Sequence, residues 1–250
     1  RRSKNTMAIA IFVIYLIPLL IIELAIIALT CLLTFAFDRN RKIVHAVSHI
    51  MSGSITHLSI LWRMKCRGME NIEKGKSYIV TVNHQTMLDI PVCYSLPLHF
   101  KWVSKREVLR MPVFGWVLRL RGDIAIDRGG VASTIKLFKR AGEVTSDGCS
   151  VIIFPEGTRS KSQTMGRFKD GAFIMAKECD TEILPAVIDY RYRKRDLFGK
   201  KIAIPYRITL TALPPIDIET IRAKSAGELR DMTKGIMSAA LDKIRTERTA

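Results

Sequence analysis

The sequence predicts an α/β domain with a mostly parallel sheet flanked by helices, preceded by an N-terminal membrane-anchoring helical segment. Short apolar runs bounded by Gly, Asp or Pro are typical of buried strands. These runs alternate with helix-like segments, as they do in a parallel sheet covered on both faces. A long apolar run near the N-terminus is the third observation. We expect residues 1–62 to form the anchor and an interfacial helix, and residues 63–250 to form one domain.

The predicted anchor is the apolar run Met7–Phe37, which only Pro18 and Glu23 interrupt. A signal-peptide core has about 7 to 15 residues, so this run is too long to be one. As one straight helix it would extend about 46 Å, against about 30 Å of hydrocarbon. It must therefore tilt, kink at Pro18 or turn back within the bilayer. Three basic residues flank each side, so charge does not separate a span from a re-entrant pair, and we favour a kinked anchor in one leaflet.

Residues 41–62 follow the anchor with apolar positions at helical spacing. We expect an interfacial amphipathic helix that breaks near Gly53. His45 and His49 lie one helical turn apart, but no third ligand lies at suitable spacing, so a pair facing solvent or headgroups is favoured over a metal site.

Five later runs are predicted to be buried strands: residues 77–82, 123–127, 150–155, 182–188 and 202–210. The helix-like segments are residues 106–120, 131–146, 170–179 and 226–245.

The composition combines 48% hydrophobic residues with a net charge of +17. A membrane surface or a polyanion as partner would explain this charge, and the apolar N-terminal run makes nucleic acid an improbable partner. The five cysteines form no C-x-x-C pair, which argues against a disulfide framework and against a zinc ribbon. We therefore expect no metal site.

The segment NHQTMLD places His84 directly after a predicted strand and Asp89 five residues later. On a regular helix the two would point about 140° apart. They can meet if His84 lies in a turn and Asp89 in the first helical turn beyond it. Asp89 would then orient the imidazole and leave its other nitrogen as a base for a substrate hydroxyl. The alternative is a strand-end histidine beside a helix-capping aspartate.

Two further strand ends carry residues suited to an anion. In FPEGTRS, Gly157 and Thr158 form a turn with exposed backbone N–H groups, and Arg159 adds a bidentate donor for phosphate. Glu156 would orient Arg159 or accept from a ligand hydroxyl. In RGDIAIDR, Arg128 ends another strand. Together these turns predict a site above the carboxyl edge of the sheet.

These blocks resemble those of the glycerolipid acyltransferase family. NHQTMLD is similar to its N-H-x-x-x-x-D motif, RGDIAIDR to its G-x-x-x-I-D-R block, FPEGTRS to its E-G-T-R block, and ILPAVI, around Pro185, to its proline block. The resemblance covers about residues 61–212, and KWVSKREVLRMPVFGW and FKDGAF look like its connecting segments. Residues 63–250 would then be the acyltransferase catalytic domain.

The resemblance implies transfer of an acyl group from acyl-CoA or acyl carrier protein, as co-substrate, to the sn-2 hydroxyl of 1-acylglycerol 3-phosphate. The product would be phosphatidic acid. His84 would be the base and Asp89 its orienter, and Lys105 would stabilise charge. The implied substrate-binding set is Asn83, Lys105, Arg128, Glu156, Gly157, Thr158, Arg159 and Pro185.

The same resemblance implies no cofactor, with membrane phospholipids and lysophosphatidic acid as partners. It also implies a location at the inner or cytoplasmic membrane, with the catalytic domain facing the cytoplasm. The basic stretch 191–207 suits an anionic membrane interface, or docking of an acidic carrier protein or of coenzyme A. Three alternatives stay open: another lysophospholipid acceptor, glycerol 3-phosphate as acceptor, or a basic lipid-binding module without catalysis.

Overall fold

A computed structural model describes residues 18, 21–38, 41–57, 59, 62–111, 114–126, 130–160, 164–197 and 200–247. At positions 55, 114, 131, 194–197 and 200–204 it describes the backbone alone. Of the predicted anchor, residues 7–17, 19 and 20 lie outside this part, whereas residues 21–34 are helical. Within the described ranges, no helix combines the length and the apolar character that crossing a bilayer requires.

The domain is built on one seven-stranded sheet, with the spatial order β1-β7-β6-β2-β5-β3-β4. The strands are β1 (Arg63–Arg67), β2 (Ile79–Val82), β3 (Phe100–Lys105), β4 (Ile124–Ile126), β5 (Ser150–Ile153), β6 (Ile183–Leu197) and β7 (Lys200–Ala212). Neighbouring strands run parallel, except that β6 and β7 form an antiparallel hairpin. The predicted α/β fold with a mostly parallel sheet is confirmed.

Helices cover both faces of the sheet. They are α1 (Lys42–His57), α2 (Asp89–Cys93), α3 (Arg106–Leu109), α4 (Phe114–Leu120), α5 (Gly130–Ser146), α6 (Gly171–Glu178), α7 (Ile218–Ala223) and α8 (Ala226–Thr246), with a 3₁₀ turn at Met69–Asn71. Every residue of β2 is buried, and its alternating side chains enter two separate cores. Val80 and Val82 pack in the core beneath α2 and α3, and Ile79 packs in the core beneath α6 and α8.

The structure differs from the sequence prediction at several elements. The strands β1 and β3 were not predicted, because the alternation in RMKCR covers only five residues and FKWVSK mixes basic and apolar residues without a clean period. The predicted helix 106–120 is two helices, and Pro112 lies between them in the sequence, where a proline disfavours helix in the preceding residue.

The helix α1 continues through Gly53 instead of breaking there, since one glycine inside a helix costs only about 1 kcal/mol. His45 does not face solvent or headgroups but is buried, and its ring stacks on His99 with 4.5 Å between the ring centroids.

The helical residues 21–34 pack beside α1 and α4. Ile27 and Cys31 form a small core with Val44 of α1, and Val117 of α4 packs against this core. The Cys31 thiol donates to the Leu120 carbonyl oxygen over 3.2 Å. We call these three neighbouring helices (residues 21–34, α1 and α4) the three-helix layer.

Candidate active site

The parallel strands β2, β3, β5 and β6 point toward the same edge of the sheet. Their register determines how far along the strand direction each residue at that edge lies. Val80 pairs with Ile152 on one side and with Leu184 on the other, and Ile152 pairs with Trp102. Counting from these positions, His84 and Glu156 lie four residues further on and Lys105 three. The predicted motifs therefore meet at the carboxyl edge of the sheet. Lys105 is two strands from His84, a separation of about 10 Å at ~4.8 Å per strand.

His84 and Asp89 are in direct contact. His84 lies in the loop after β2, and Asp89 is the first residue of α2, so the chain folds back between them. His84 Nδ1 donates to Asp89 Oδ2 over 2.7 Å. The expected contact between the two side chains is therefore present, and it requires the loop geometry because one helix could not provide it.

Asp89 is completely buried and is held by three further donors. The backbone N–H groups of Gln85 and Thr86 donate to Oδ2 over 2.6 and 2.9 Å. The Tyr190 hydroxyl of β6 donates to Oδ1 over 2.6 Å. Burial, and then the charge of Asp89, raise the pKa of Tyr190 well above its usual range, so this hydroxyl keeps the proton it donates. The network fixes a carboxylate behind the imidazole.

Phe154 fixes the plane of the His84 imidazole, in addition to the hydrogen bond from Nδ1 to Asp89. The Phe154 ring stacks on it with 4.0 Å between centroids and 9° between planes. The side chain of His84 is 14% exposed. With Nδ1 occupied by Asp89, Nε2 carries the free lone pair and makes no hydrogen bond to the described residues. This nitrogen can accept a proton from a hydroxyl placed at the edge of the sheet.

Glu156 accepts from backbone N–H groups and makes no hydrogen bond or ion pair with Arg159, one of the two partners that the sequence offered for it. It is 4% exposed. Its Oε1 accepts from the His84 backbone N–H over 2.9 Å and its Oε2 from the Gly166 N–H over 2.7 Å. A hydrogen bond from the Ser160 N–H to the His84 carbonyl oxygen, 2.8 Å long, joins the same two loops. Glu156 therefore positions the loop that carries His84, because both of its oxygens are used inside the protein.

Gly157 provides space at the site and no donor for a ligand. Its N–H donates to the Phe154 carbonyl oxygen over 3.0 Å, so this N–H is not one of the exposed donors that the sequence predicted for the turn. Its φ is +66°, a conformation that favours glycine. A Cβ at this position would lie 3.0 Å from both Cε and Nζ of Lys169. The glycine therefore lets the Lys169 ammonium approach the loop.

Several cations lie at the edge of the sheet near His84. Thr158 and Arg159 are exposed on the loop after β5, and Arg159 makes no hydrogen bond or ion pair with the described residues. Lys169 is exposed on the chain that leads into α6, and Lys105 is half-buried at the end of β3. Arg128, predicted beside them, lies outside the described residues. Such a group of ammonium and guanidinium donors suits a phosphate or another anion.

Two other predicted binding residues lie inside the protein. Asn83 is 1% exposed, and its amide donates to the Ile188 carbonyl oxygen over 3.0 Å and accepts from the Ile188 N–H over 2.7 Å. Asn83 therefore joins the ends of β2 and β6 through its side-chain amide. Pro185 is buried in β6 beside Thr81. That position lies three residues, or about 10 Å, below the level of His84.

Tyr190, Phe154 and Lys169 complete the site, and sequence reasoning did not assign them a role. Strand alternation would have placed Tyr190 on the same face as Ala186 and Ile188, although its contact with Asp89 depends on the fold of the loop. Among the described residues, no group of three or more His, Cys, Asp or Glu side chains is placed to hold a metal ion.

Comparison with known proteins gives the family context of this geometry. The family model described as "Acyltransferase" matches residues 63–189. A chloroplastic 1-acyl-sn-glycerol-3-phosphate acyltransferase of Brassica napus is 34% identical over 155 residues, which are 61% of this chain and 44% of that protein. This chain thus spans less than half of the length of that relative. The alpha form from Mus musculus is 30% identical over 191 residues, which are 74% of this chain and 66% of that protein.

One solved structure shares the fold over almost the whole chain. The crystal structure of the 1-acyl-sn-glycerophosphate acyltransferase from Thermotoga maritima superposes with a TM-score of 0.68, covers 98% of each chain and is 21% identical. At this identity the match establishes the α/β architecture.

Proposed function

We propose that this chain, which belongs to the acyltransferase family, moves a fatty acyl group from an acyl thioester to the free sn-2 hydroxyl of 1-acylglycerol 3-phosphate. The observation that carries the proposal is the His84–Asp89 contact of 2.7 Å, with Nε2 open at an edge of the sheet lined by cations. The relatives named 1-acyl-sn-glycerol-3-phosphate acyltransferase support the choice of acceptor. The product is phosphatidic acid.

His84 is the general base in this proposal. Its Nε2 takes the proton of the acceptor hydroxyl as the oxygen attacks the thioester carbonyl carbon. Asp89 holds the ring in the required tautomer and stabilises the imidazolium that forms. When the carbon–sulfur bond breaks, the imidazolium returns the proton to the leaving thiolate. No covalent enzyme intermediate is needed, because a thioester is already activated.

The acceptor phosphate is placed by the cations beside His84. Arg159 lies on the loop after β5, Lys169 approaches Gly157 of the same loop, and Lys105 lies two strands from His84 at the same edge. Holding the phosphate there directs the glycerol hydroxyl toward Nε2, and such positioning supplies a large part of an acyl-transfer rate. The donor is acyl-CoA or acyl carrier protein, as co-substrate, and no cofactor is needed for the step.

The protein acts at a membrane in this proposal, because both the acceptor and the product reside in a bilayer. The apolar run Met7–Phe37 supplies the anchor, and the catalytic domain faces the cytoplasm. The net charge of +17 favours an anionic surface.

The test is a panel of acceptors with one labelled acyl donor, followed by the same acceptor with acyl-CoA and with acyl carrier protein. We expect phosphatidic acid from lysophosphatidic acid, and little product from other lysophospholipids or glycerol 3-phosphate. His84→Ala should abolish turnover without changing folding, because the base is lost. Retained turnover in this variant, or lipid binding without turnover in the wild type, would contradict the proposal.

Arg159→Ala tests the phosphate contact in the same assay. We expect a higher KM for the phosphate-bearing acceptor and an unchanged KM for the donor. Arg140→Ala is the matched control, because Arg140 is also exposed but lies on α5 in an ion pair with Glu143.

A further inference from the structure

The large exposed apolar side chains are distributed unevenly over the molecule. Among the described residues, most of them lie in positions 21–37, in α1 or in α4, and two more are Met87 in the loop after β2 and Met111 in the loop after α3. The four exceptions are Ile135, Ile174, Tyr192 and Ile236. Scattered single apolar residues are ordinary on a protein surface, but a contiguous group indicates an interaction site.

The three-helix layer makes this group contiguous. In residues 21–34 a narrow stripe faces the protein, formed by Glu23, Ile27 and Cys31. The rest of that helix turns apolar side chains outward, including Leu32, which is 75% exposed. The stripe contacts α4 through the Cys31–Leu120 hydrogen bond. The outward faces of the helical stretch and of α4 therefore adjoin.

The helix α4 has two apolar residues on its outer face. Trp116 is 55% exposed and Leu120 is 39% exposed. They lie one helical turn apart, so they project from the same side of α4. Arg119, also exposed, lies between them in sequence, and Arg110 is exposed just before the helix. A tryptophan and a leucine flanked by arginines are typical of a helix that lies in a membrane interface.

The charge of the chain decides between occupants of this face. A second copy of the chain would bring another net charge of +17 against arginines that are already exposed, so self-association is disfavoured. A bilayer with anionic headgroups complements both the arginines and the apolar side chains.

We propose that α4 of the catalytic domain lies in the membrane interface, with the indole of Trp116 at the level of the headgroups of an anionic bilayer. This inference deepens the membrane association in the proposed function and does not depend on acyl transfer. The helix α3, which precedes α4, begins directly after Lys105 at the catalytic edge. Contact through α4 therefore brings that edge to the lipid surface, from which an acceptor can enter without crossing bulk water.

Tryptophan fluorescence can test the inference directly, because the three tryptophans differ in exposure. Trp62 and Trp102 are 6% and 3% exposed, so only Trp116 is open to a surrounding medium. The full chain is mixed with vesicles of phosphatidylcholine and phosphatidylglycerol carrying brominated acyl chains, and Trp116→Phe supplies the background emission. We expect the Trp116 emission to shift to shorter wavelength and to be quenched. No quenching of this component, or a shift that depends on protein concentration without vesicles, would overturn the inference.

A vesicle-binding measurement gives the energetic test. The double variant Trp116→Ser/Leu120→Ser should bind the same vesicles about tenfold more weakly, since a buried large apolar side chain contributes roughly that factor or more. Ile135→Ser is the control, because Ile135 is 60% exposed on α5, across the sheet. Equal loss in both variants, or no loss in the double variant, would refute the role of α4.

The outcomes also separate this inference from the proposed activity. The double variant should retain turnover on a short-chain acceptor that is dispersed as monomers. An active enzyme whose Trp116 stays in water would overturn the inference alone, whereas a quenched protein without acyl transfer would overturn the proposed function alone.

Discussion

Tyr190→Phe removes one hydroxyl from the carboxylate behind His84 and leaves the ring packing in place. The Tyr190–Asp89 hydrogen bond is 2.6 Å long and buried, and Asp89 keeps its contacts with His84, Gln85 and Thr86. A hydrogen bond to a charged group contributes about 1.5–3 kcal/mol. If most of this is needed to hold Asp89 in line with the imidazole, the barrier rises by a similar amount and kcat falls roughly 10- to 100-fold.

Steady-state kinetics with lysophosphatidic acid measure this effect. We expect a lower kcat with a KM close to that of the wild type, because Tyr190 does not reach the acceptor. Tyr192→Phe is the matched control: Tyr192 stacks on Tyr190 but is 45% exposed, and no hydrogen bond joins it to Asp89. An unchanged kcat for Tyr190→Phe would refute the reasoning, as would an equal fall for both variants.

Three further outcomes follow from the site and its supports. Gly157→Ala should lower the free energy of unfolding by about 1–2 kcal/mol through its positive φ, and it should also raise the acceptor KM. The control Gly75→Ala has a φ of +85° and open space around it, so thermal unfolding should show the loss of stability without a change in KM. Asn83→Ala should lower the free energy of unfolding by about 1–3 kcal/mol, because the buried N–H of Ile188 loses its partner while the Ile188 carbonyl oxygen keeps only the 3.3 Å hydrogen bond from Gln85; a raised acceptor KM at unchanged stability would instead indicate substrate contact. Burial lowers the pKa of His99 to about 4, so between pH 6.5 and 4 the unfolded chain binds more protons and stability falls as the pH is lowered; His99→Gln should reduce this fall in Tm, and an equal fall would contradict the assignment.

The sequence predicts the centre of the sheet well because its strands are buried on both faces. The β2 strand has the continuous apolar run expected of such a strand, and it leads into the loop that carries His84. The edge strand β1 escaped prediction, since Arg63 and Lys65 alternate with apolar residues in a run of only five. The antiparallel pairing of β6 with β7 was not foreseen either, because strand direction depends on how the connection folds.

At the candidate site, sequence motifs identified loops that meet at one edge of the sheet, but not the contacts that each side chain makes there. His84 and Asp89 meet as the loop geometry required. Asn83 and Glu156 stand in the same motifs, yet both are buried and bonded to backbone groups. Spacing in a motif does not distinguish a residue that touches a ligand from one that holds the loop. Tyr190 comes from a strand about one hundred residues away, and only the fold brings it to Asp89.

Glu156 also matters for any design that places the His84–Asp89 pair on another protein scaffold. A carboxylate offers acceptors at both ends, and here each end receives a backbone N–H from a different loop. Glutamine has the same shape, but its NH₂ group would face one of those N–H groups, so this replacement would push the loops apart. An engineer who copied the histidine and the aspartate onto another α/β scaffold would obtain an untethered loop, unless residues 154–166 were grafted with them.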